Sequence, residues 1–487
     1  MQKETEKIDY KKVGLKCGVE IHQQLDTHKL FCECPSVLRG DEPDVIIKRR
    51  LYAVAGEEGK IDIAAAYEQE KSKLFIYEGY SDSTCQIEFD SEPPHKINEE
   101  ALSIAIQISL LLNAKIIPVS QIMRKTVVDG SNTSGFQRTL LLAKDGFVET
   151  SYGKIGITGI GLEEDSARII KHDKNSVTYR LDRLGIPLIE IATAPDIPNA
   201  EAAKETALKI GEILRSCKVK RGIGTIRQDV NLSISKGARS EIKGVQEPAL
   251  ISKTIDKEIE RQLKLIREKK KVEASVRKAL ENGESEFLRP LPGAARMYPE
   301  TDLPLIRITK EMTENARRTL PKLKEEIKGE LKEKGLSEEM TKLLLGEKML
   351  SEFEALIKLY NNPNFVVKAL VLWPKEIASK EKLSEKQKSE RLSVDIIETL
   401  IEKVAKGKIK EDDVKTIMQE IAKGKSIDDS IKTSEKKEEI DLEGEIFKII
   451  KDKPGLSANA YMGLIMQKFK GKIDARKASE IIKKYCQ

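Results

Sequence analysis

The chain changes its hydrophobic period once, near residue 309. Before that point short segments alternate apolar and polar positions, carry β-branched residues and break at Gly, Asp and Pro, which predicts strands joined by turns. Beyond Thr309 the apolar positions recur at helical spacing in Lys- and Glu-rich sequence. Ser393–Val404, for example, sets Val394, Ile397, Leu400, Ile401 and Val404 on one stripe. Two segments end in Ala-Lys-Gly-Lys (Ala405–Lys408 and Ala422–Lys425), where Gly suits a helix C-terminus. Lys432–Glu443 is charged and unpatterned and predicts a linker. After it, Tyr461, Leu464, Ile465 and Phe469, then Ile481, Ile482 and Tyr485, predict a compact helical tail. The expectation is an α+β protein: a β-rich part over 1–308 with a helical connection at 248–288, an all-α part over 309–440, and a tail over 441–487.

The polar faces of several predicted strands are made of ligand-like groups. In Val19-Glu20-Ile21-His22 the alternation puts Glu20 and His22 on one face, close enough to share a cation. Thr225–Ile234 sets Ile226, Val230, Leu232 and Ile234 against Arg227, Asp229, Asn231 and Ser233, and holds no Lys in a Lys-rich chain. Arg239, Glu241 and Lys243 repeat the arrangement. Glu190 alternates with Ile189 and Ile191, and Glu163-Glu164-Asp165 adds adjacent acids. A single such strand reads as the solvated face of an antiparallel sheet. Their recurrence predicts a converging, concave surface instead. Carboxylates with one imidazole suit Mg²⁺ bridged to phosphate, and nearby Arg suits transferring phosphoryl charge. Cys17 and His22 face opposite sides of their strand, which argues against a thiol dyad.

Two loops add to this. Gly130-Ser131-Asn132-Thr133-Ser134-Gly135, leading to Arg138, has turn-forming glycines and small hydroxyls that could cradle phosphate, although it is no P-loop. Arg289–Asp302 is stiffened by Pro290, Pro292 and Pro299 and carries Arg289 and Arg296.

A length of 487 residues calls for several domains. No apolar run reaches the ~18 residues of a membrane span, and the N-terminus lacks a secretory pattern, so a cytoplasmic protein without membrane contact is expected. Six cysteines form no disulfide framework, and only Cys32 and Cys34 are close in sequence, without a second pair to complete a zinc site. The formal net charge of +6 resides almost wholly beyond Pro454, where Lys468, Lys470, Lys472, Arg476, Lys477, Lys483 and Lys484 face only Asp474 and Glu480. That tail suits an anionic partner.

Gly18–Thr27, Asp129–Thr139 and Arg289–Asp302, supported by Gly161–Arg168, Tyr179–Asp196, Arg227–Ser233 and Met462–Gly471, closely resemble the GatB/GatE family of tRNA-dependent amidotransferase subunits. The run Gly130–Thr139 favours the E-type branch. The resemblance implies a β-rich cradle of glutamine synthetase-like, GatB type, then a helical domain and a YqeY-like tail that meets tRNA through Lys468, Lys470, Lys472, Arg476 and Lys477. It implies ATP- and Mg²⁺-dependent phosphorylation of the γ-carboxylate of Glu on tRNA(Gln), then amidation with ammonia from an asparaginase-like partner, GatD. By matched position His22, Glu164 and Glu190 resemble Mg²⁺ ligands, with Glu20 and Glu163 as neighbours or alternates. Arg183, Arg227, Asp229 and Asn231 resemble cleft residues around ATP or the acceptor end; Ser131, Asn132, Ser134, Arg138 and Ser233 are the further candidates for holding the nucleotide. The GAD insertion usual in E-type proteins before Arg-Pro-Leu-Pro is missing, with only Pro248–Leu288 in its place, and the four-cysteine zinc site of B-type relatives is not carried over. The competing expectations are a non-catalytic tRNA-binding scaffold and a ligase for a free small acid.

Overall fold

A computed structural model describes residues 8–56, 59–222, 224–293, 296–438, 442–469 and 475–485. The chain forms two compact units, Met1–Lys324 and Glu325–Gln487. In the first, the strands are β1 (Lys16–Gln24), β2 (Val45–Arg49), β3 (Leu74–Gly79), β4 (Lys115–Ile116), β5 (Val119–Ser120), β6 (Ile122–Thr126), β7 (Phe136–Thr150), β8 (Gly153–Glu164) and β9 (Arg168–His172). They continue as β10 (Ser176–Arg180), β11 (Pro187–Thr193), β12 (Ile226–Ser233), β13 (Ser240–Lys243), β14 (Ser275–Ala279), β15 (Ser285–Pro290), β16 (Met297–Pro299) and β17 (Ile306–Arg307). One large sheet runs β15-β14-β13-β12-β1-β11-β8-β7-β6-β16, with β4 on β7, and only β13–β14 among these pairs is parallel. The mixed architecture, a mainly antiparallel sheet followed by helices, agrees with the expected α+β class.

β1 lies at the centre, paired antiparallel to β11 and β12. Its Cys17, Val19 and Ile21 are almost wholly buried in the main core. Behind that face lie α2 (Glu99–Leu111), α3 (Ala200–Ser216) and α4 (Pro248–Arg267). α3 shows why: Ala203, Ala207, Ile210 and Leu214 form its buried stripe, and the Asn199 side chain caps its first turn by accepting from the Ala202 N–H. With the apolar face of the sheet covered, the opposite face of β1, which holds Glu20 and His22, is left to line a cavity.

A second sheet, β2-β3-β10-β9, packs Phe75, Tyr77, Val177 and Tyr179 into a small core of its own. It anchors the 129–135 loop: Tyr77 donates its hydroxyl to the Gly130 carbonyl at 2.9 Å and Tyr179 to the Asp129 carbonyl at 2.8 Å. Besides α1 (Ile63–Glu70), the unit contains α5 (Lys310–Arg318), which packs on α2 through the buried Ala316 and a Gln107–Thr319 hydrogen bond. That packing carries the first compact unit past the 308 boundary expected from the change of period.

The second unit is helical. Ile397, Leu400, Ile401 and Val404 of the helix Val394–Ala405 are buried, as their stripe predicts. Gly407 and Gly424 end helices with φ of 68° and 100°, the left-handed region that favours Gly. A helix, Ile427–Glu438, runs through the first half of the expected linker, and 439–441 lie outside the described residues. The tail has its own apolar cluster of Ile446, Tyr461, Ile465, Ala478 and Ile482. Among the described residues no helix is long and apolar enough to cross a membrane.

Gly130 has φ of +91°, and a Cβ there would lie 2.3 Å from the Phe75 ring. Gly130→Ala is therefore expected to cost about 2–4 kcal/mol through strain and overpacking, read as a lower urea midpoint. A wild-type midpoint would contradict this packing.

Candidate functional site

Side chains directly opposite one another in an antiparallel pair project from the same face. His22 lies opposite Glu190 of β11 and Arg227 of β12, and Glu20 lies opposite Asp229. Glu190 pairs with Gly161 of β8, so Glu163, two residues on, shares that face and Glu164 does not. These groups line one cavity of about 450 Å³, together with Lys125, Glu241, Lys243 and Arg296.

Two ligand-like clusters result. The first holds His22, Glu163 and Glu190, one donor atom from each lying within 4.8 Å of the others. His22 Nε2 is 3.9 Å from Glu163 Oε1 and 3.8 Å from Glu190 Oε1. Lys125 Nζ lies 3.1 Å from Glu163 Oε2 and 3.5 Å from Glu190 Oε2. The second holds Glu20, Asp229 and Glu241 within the same spacing. Lys243 Nζ sits 3.0 Å from Asp229 and 2.8 Å from Glu241. Asn231 donates to Glu20 at 3.0 Å and accepts from Arg239.

The electrostatics follow from burial and these pairings. Lys125, followed by His22, draws Glu190 down to about 2 even against its burial. Burial pushes Glu163 up, opposed by Lys125. Glu20 is raised to about 7, first by burial and then by Glu190 and Glu241. Burial would raise Glu241, but Lys243 outweighs it and the carboxyl is lowered. Two hard-ligand clusters with neighbouring ammonium and guanidinium groups can hold divalent cations and phosphate oxygens. The first, a borderline nitrogen with two carboxylates on a cavity wall, fits an ion that keeps other positions for water or phosphate.

Several expected residues lie elsewhere. Glu164 projects to the other side of β8, where Arg138 binds it through its backbone N–H at 3.1 Å and its guanidinium at 3.3 Å, while also bonding Glu300. Both are buried and outside the cavity lining. Arg183 ties its own loop, donating to the Ser166 and Ala167 carbonyls. Arg227 lines the cavity and pairs with Asp165 at 2.8 Å. The 130–135 loop does not line this cavity; there Ser131 donates to Asp129, Ser134 to the Phe136 carbonyl, and the buried Asn132 accepts from Ser166. Its glycine conformation serves packing on Phe75. Ser233 and Asn231 line a neighbouring cavity of about 440 Å³ that shares Glu20 and Arg239 with the first. In the tail, Lys468 pairs with Glu445 at 2.8 Å. Arg476 and Lys477 fall on the helix Ala475–Tyr485, and Lys470 and Lys472 lie outside the described residues.

Arg296 of the proline-stiffened run lines the cavity, and so does Lys125, which is absent from the expected site residues because it reaches the cavity from a segment remote in sequence. The same holds for the partners of Cys32 and Cys34. Cys85 and Glu88, apart from them in sequence, complete a four-donor group whose atoms lie within 4.8 Å of one another. Cys32 Sγ donates to Glu88 Oε1 at 3.0 Å, and the buried Lys29 lies 3.3 Å from the same oxygen. Three thiols and a carboxylate suit a tetrahedral zinc site. Cysteine spacing does not reveal it, because the fourth donor is a glutamate.

A family model described as the GatB/GatE catalytic domain matches residues 15–314, the segment that builds both clusters. The E-type subunit of the glutamyl-tRNA(Gln) amidotransferase of Methanocaldococcus jannaschii is 37% identical over 98% of this chain and 99% of its own. That of Sulfurisphaera tokodaii is 34% identical over 98% and 99%, and that of Methanococcus maripaludis strain C5 is 38% identical over 76% and 80%. The alignment to the M. jannaschii protein runs over 624 positions against 487 residues here, so that relative carries sequence with no counterpart in this chain.

Glu20 is an acid whose folded-state value lies above its ordinary 4.5, near 7. Its protonation favours the folded state at low pH, and that stability is lost as pH rises through about 7. With chelator present, Glu20→Gln, whose carbonyl keeps the Asn231 bond, is expected to melt above wild type at pH 8. The gap should close below pH 4.5. A pH-independent gap would contradict the burial argument.

Proposed function

Because the chain belongs to the GatB/GatE family, we propose that it is the E-type subunit of a glutamyl-tRNA(Gln) amidotransferase and that the cavity around His22 performs the activation step. The observation that carries this reading is the convergence of His22, Glu163 and Glu190 beside Lys125, Lys243, Arg227 and Arg296. The γ-carboxylate oxygen of Glu esterified to tRNA attacks the γ-phosphorus of ATP; a C–O–P bond forms, the bond to the β-phosphate oxygen breaks, and ADP leaves. Ammonia then attacks the acyl carbon, phosphate departs, and loss of a proton leaves the amide of Gln-tRNA(Gln).

His22, Glu163 and Glu190 would hold Mg²⁺, which supplies charge neutralisation for the phosphates when bound. Lys125, Lys243 and Arg296 place fixed positive charge around the same space, where phosphoryl charge must be held without a covalent enzyme intermediate. Ammonia comes from an asparaginase-like amidase partner of the GatD kind, and the protein works in the cytoplasm. The helical part and YqeY-like tail bring the tRNA, with Lys468, Lys470, Lys472, Arg476 and Lys477 meeting phosphates. Without the GAD insertion, this tail carries a larger share of tRNA binding.

With the amidase partner and glutamine present, ATP hydrolysis should depend on Glu-tRNA and not on free glutamate. His22→Ala and Glu163→Gln are expected to lower turnover by about 100-fold or more, the scale of removing one electrostatic stabiliser of the transition state, while tRNA affinity stays within about threefold. Unchanged turnover would remove both from the site, and tRNA binding without ATP hydrolysis would favour a scaffold. Joint Ala substitution of Lys470, Lys472, Arg476 and Lys477 is expected to flatten the dependence of log K on log salt, by about 0.7–0.9 for each phosphate no longer neutralised. An unaltered slope would make the tail's charge incidental.

A further inference from the structure

Lys125 enters the cavity from β6, two strands away from Glu163 on β8. Its backbone neighbours in the sheet are Gln137 on β7 and Met297 on β16, so neither carboxylate is a local partner. The ammonium nevertheless ends between Glu163 and Glu190, touching the Oε2 atom of each. The imidazole Nε2 of His22 faces the Oε1 atom of each. Each carboxylate thus offers one oxygen to the histidine side and the other to the lysine side.

This division has consequences for a cation bound with His22. If Oε2 of both glutamates is taken by the ammonium, only Oε1 is free to ligate, and both ligands become monodentate. The ammonium also offsets the repulsion of two carboxylates that must stay ionised side by side with limited access to water; Glu163 is 2% exposed. Two like charges whose donor atoms lie within 4.8 Å of one another repel strongly where water is scarce, enough to swing one of them away. Lys243 is placed in the same manner between Asp229 and Glu241.

We propose that Lys125 is a positioning residue that clamps Glu163 and Glu190 by their outer oxygens, so that their inner oxygens and His22 form a monodentate, preorganised seat for the divalent cation. The inference rests on the reading of this cavity as a phosphoryl-transfer site. The clamp leaves the remaining coordination positions to phosphate and water. It contrasts with the other role open to an ammonium at this place, that of a competitor which the cation must expel. The two differ in sign: a clamp strengthens cation binding, whereas a competitor weakens it.

The experiment is Mn²⁺ binding to the full chain without nucleotide, followed by the loss of free-ion electron paramagnetic resonance signal. Lys125→Met is expected to weaken Mn²⁺ binding by about 10–100-fold, the usual cost of removing an outer partner of a metal ligand, and Lys125→Arg to restore part of it. Unchanged or tighter binding in Lys125→Met would overturn the clamp. His22→Gln serves as the separate control. If wild type and His22→Gln bind Mn²⁺ alike, the cation seat itself fails and takes the inference with it; if only Lys125→Met is neutral, the clamp alone fails. A second measurement needs no variant: amine-reactive labelling of wild type, read by mass spectrometry, should find Lys125 as protected with Mn²⁺ as after chelation. A rise in its labelling on adding Mn²⁺ would mean expulsion and would overturn the proposal.

Discussion

Five carboxylates carried on strands share one partly buried cavity wall, with Asp165 beside them, and the sheet can hold them only because cations are built in next to them. Glu163 and Glu190 meet Lys125, Asp229 and Glu241 meet Lys243, and Glu20, the third member of the second cluster, has its pKa raised to about 7. An isolated buried carboxylate would protonate rather than accept the desolvation cost. The pairings draw Glu190 and Glu241 below the ordinary carboxyl range and so keep them ionised. The central position of β1 depends on the same balance: its inward residues fasten the helices behind the sheet, and its outward Glu20 and His22 take part in both clusters.

Charge compensation also links structure to chemistry. A wall of anions alone would repel ATP, and a wall of cations alone would not hold a metal. Alternating the two creates a surface that can accept a divalent ion, triphosphate and a substrate carboxylate together. The neighbouring cavity shares Glu20 and Arg239 with this wall and is lined by Gly18 and Ala192, less polar surroundings than the charged pocket.

Much of this wall was legible in the sequence because strand alternation is a local rule. It put Glu20 with His22, and Arg227 with Asp229 and Asn231, on shared faces, and the register agrees with those faces. The choice between Glu163 and Glu164 was beyond it: adjacent residues point opposite ways, and only the pairing of Glu190 with Gly161 decides which one faces His22. The 130–135 loop shows how one local pattern serves two ends. A glycine with positive φ and small hydroxyls suits a phosphate cradle, but the same chemistry satisfies a tight loop packed on Phe75 and bonded to itself. Lys125, Cys85 and Glu88 gave no local signal, since their partners are set by long-range strand pairing and loop packing. The helical unit was the most readable, its stripes and Gly-terminated helices being consequences of short-range geometry.

The central claim is that this cavity activates a carboxylate by phosphorylating it. Glu-tRNA(Gln) charged with glutamate carrying ¹⁸O in its γ-carboxylate, turned over with ATP, partner amidase and glutamine, tests it most directly. The account predicts one ¹⁸O in each inorganic phosphate released with Gln-tRNA formed. Phosphate whose new oxygen comes only from solvent would show that ATP is hydrolysed without an acyl phosphate, and would contradict it.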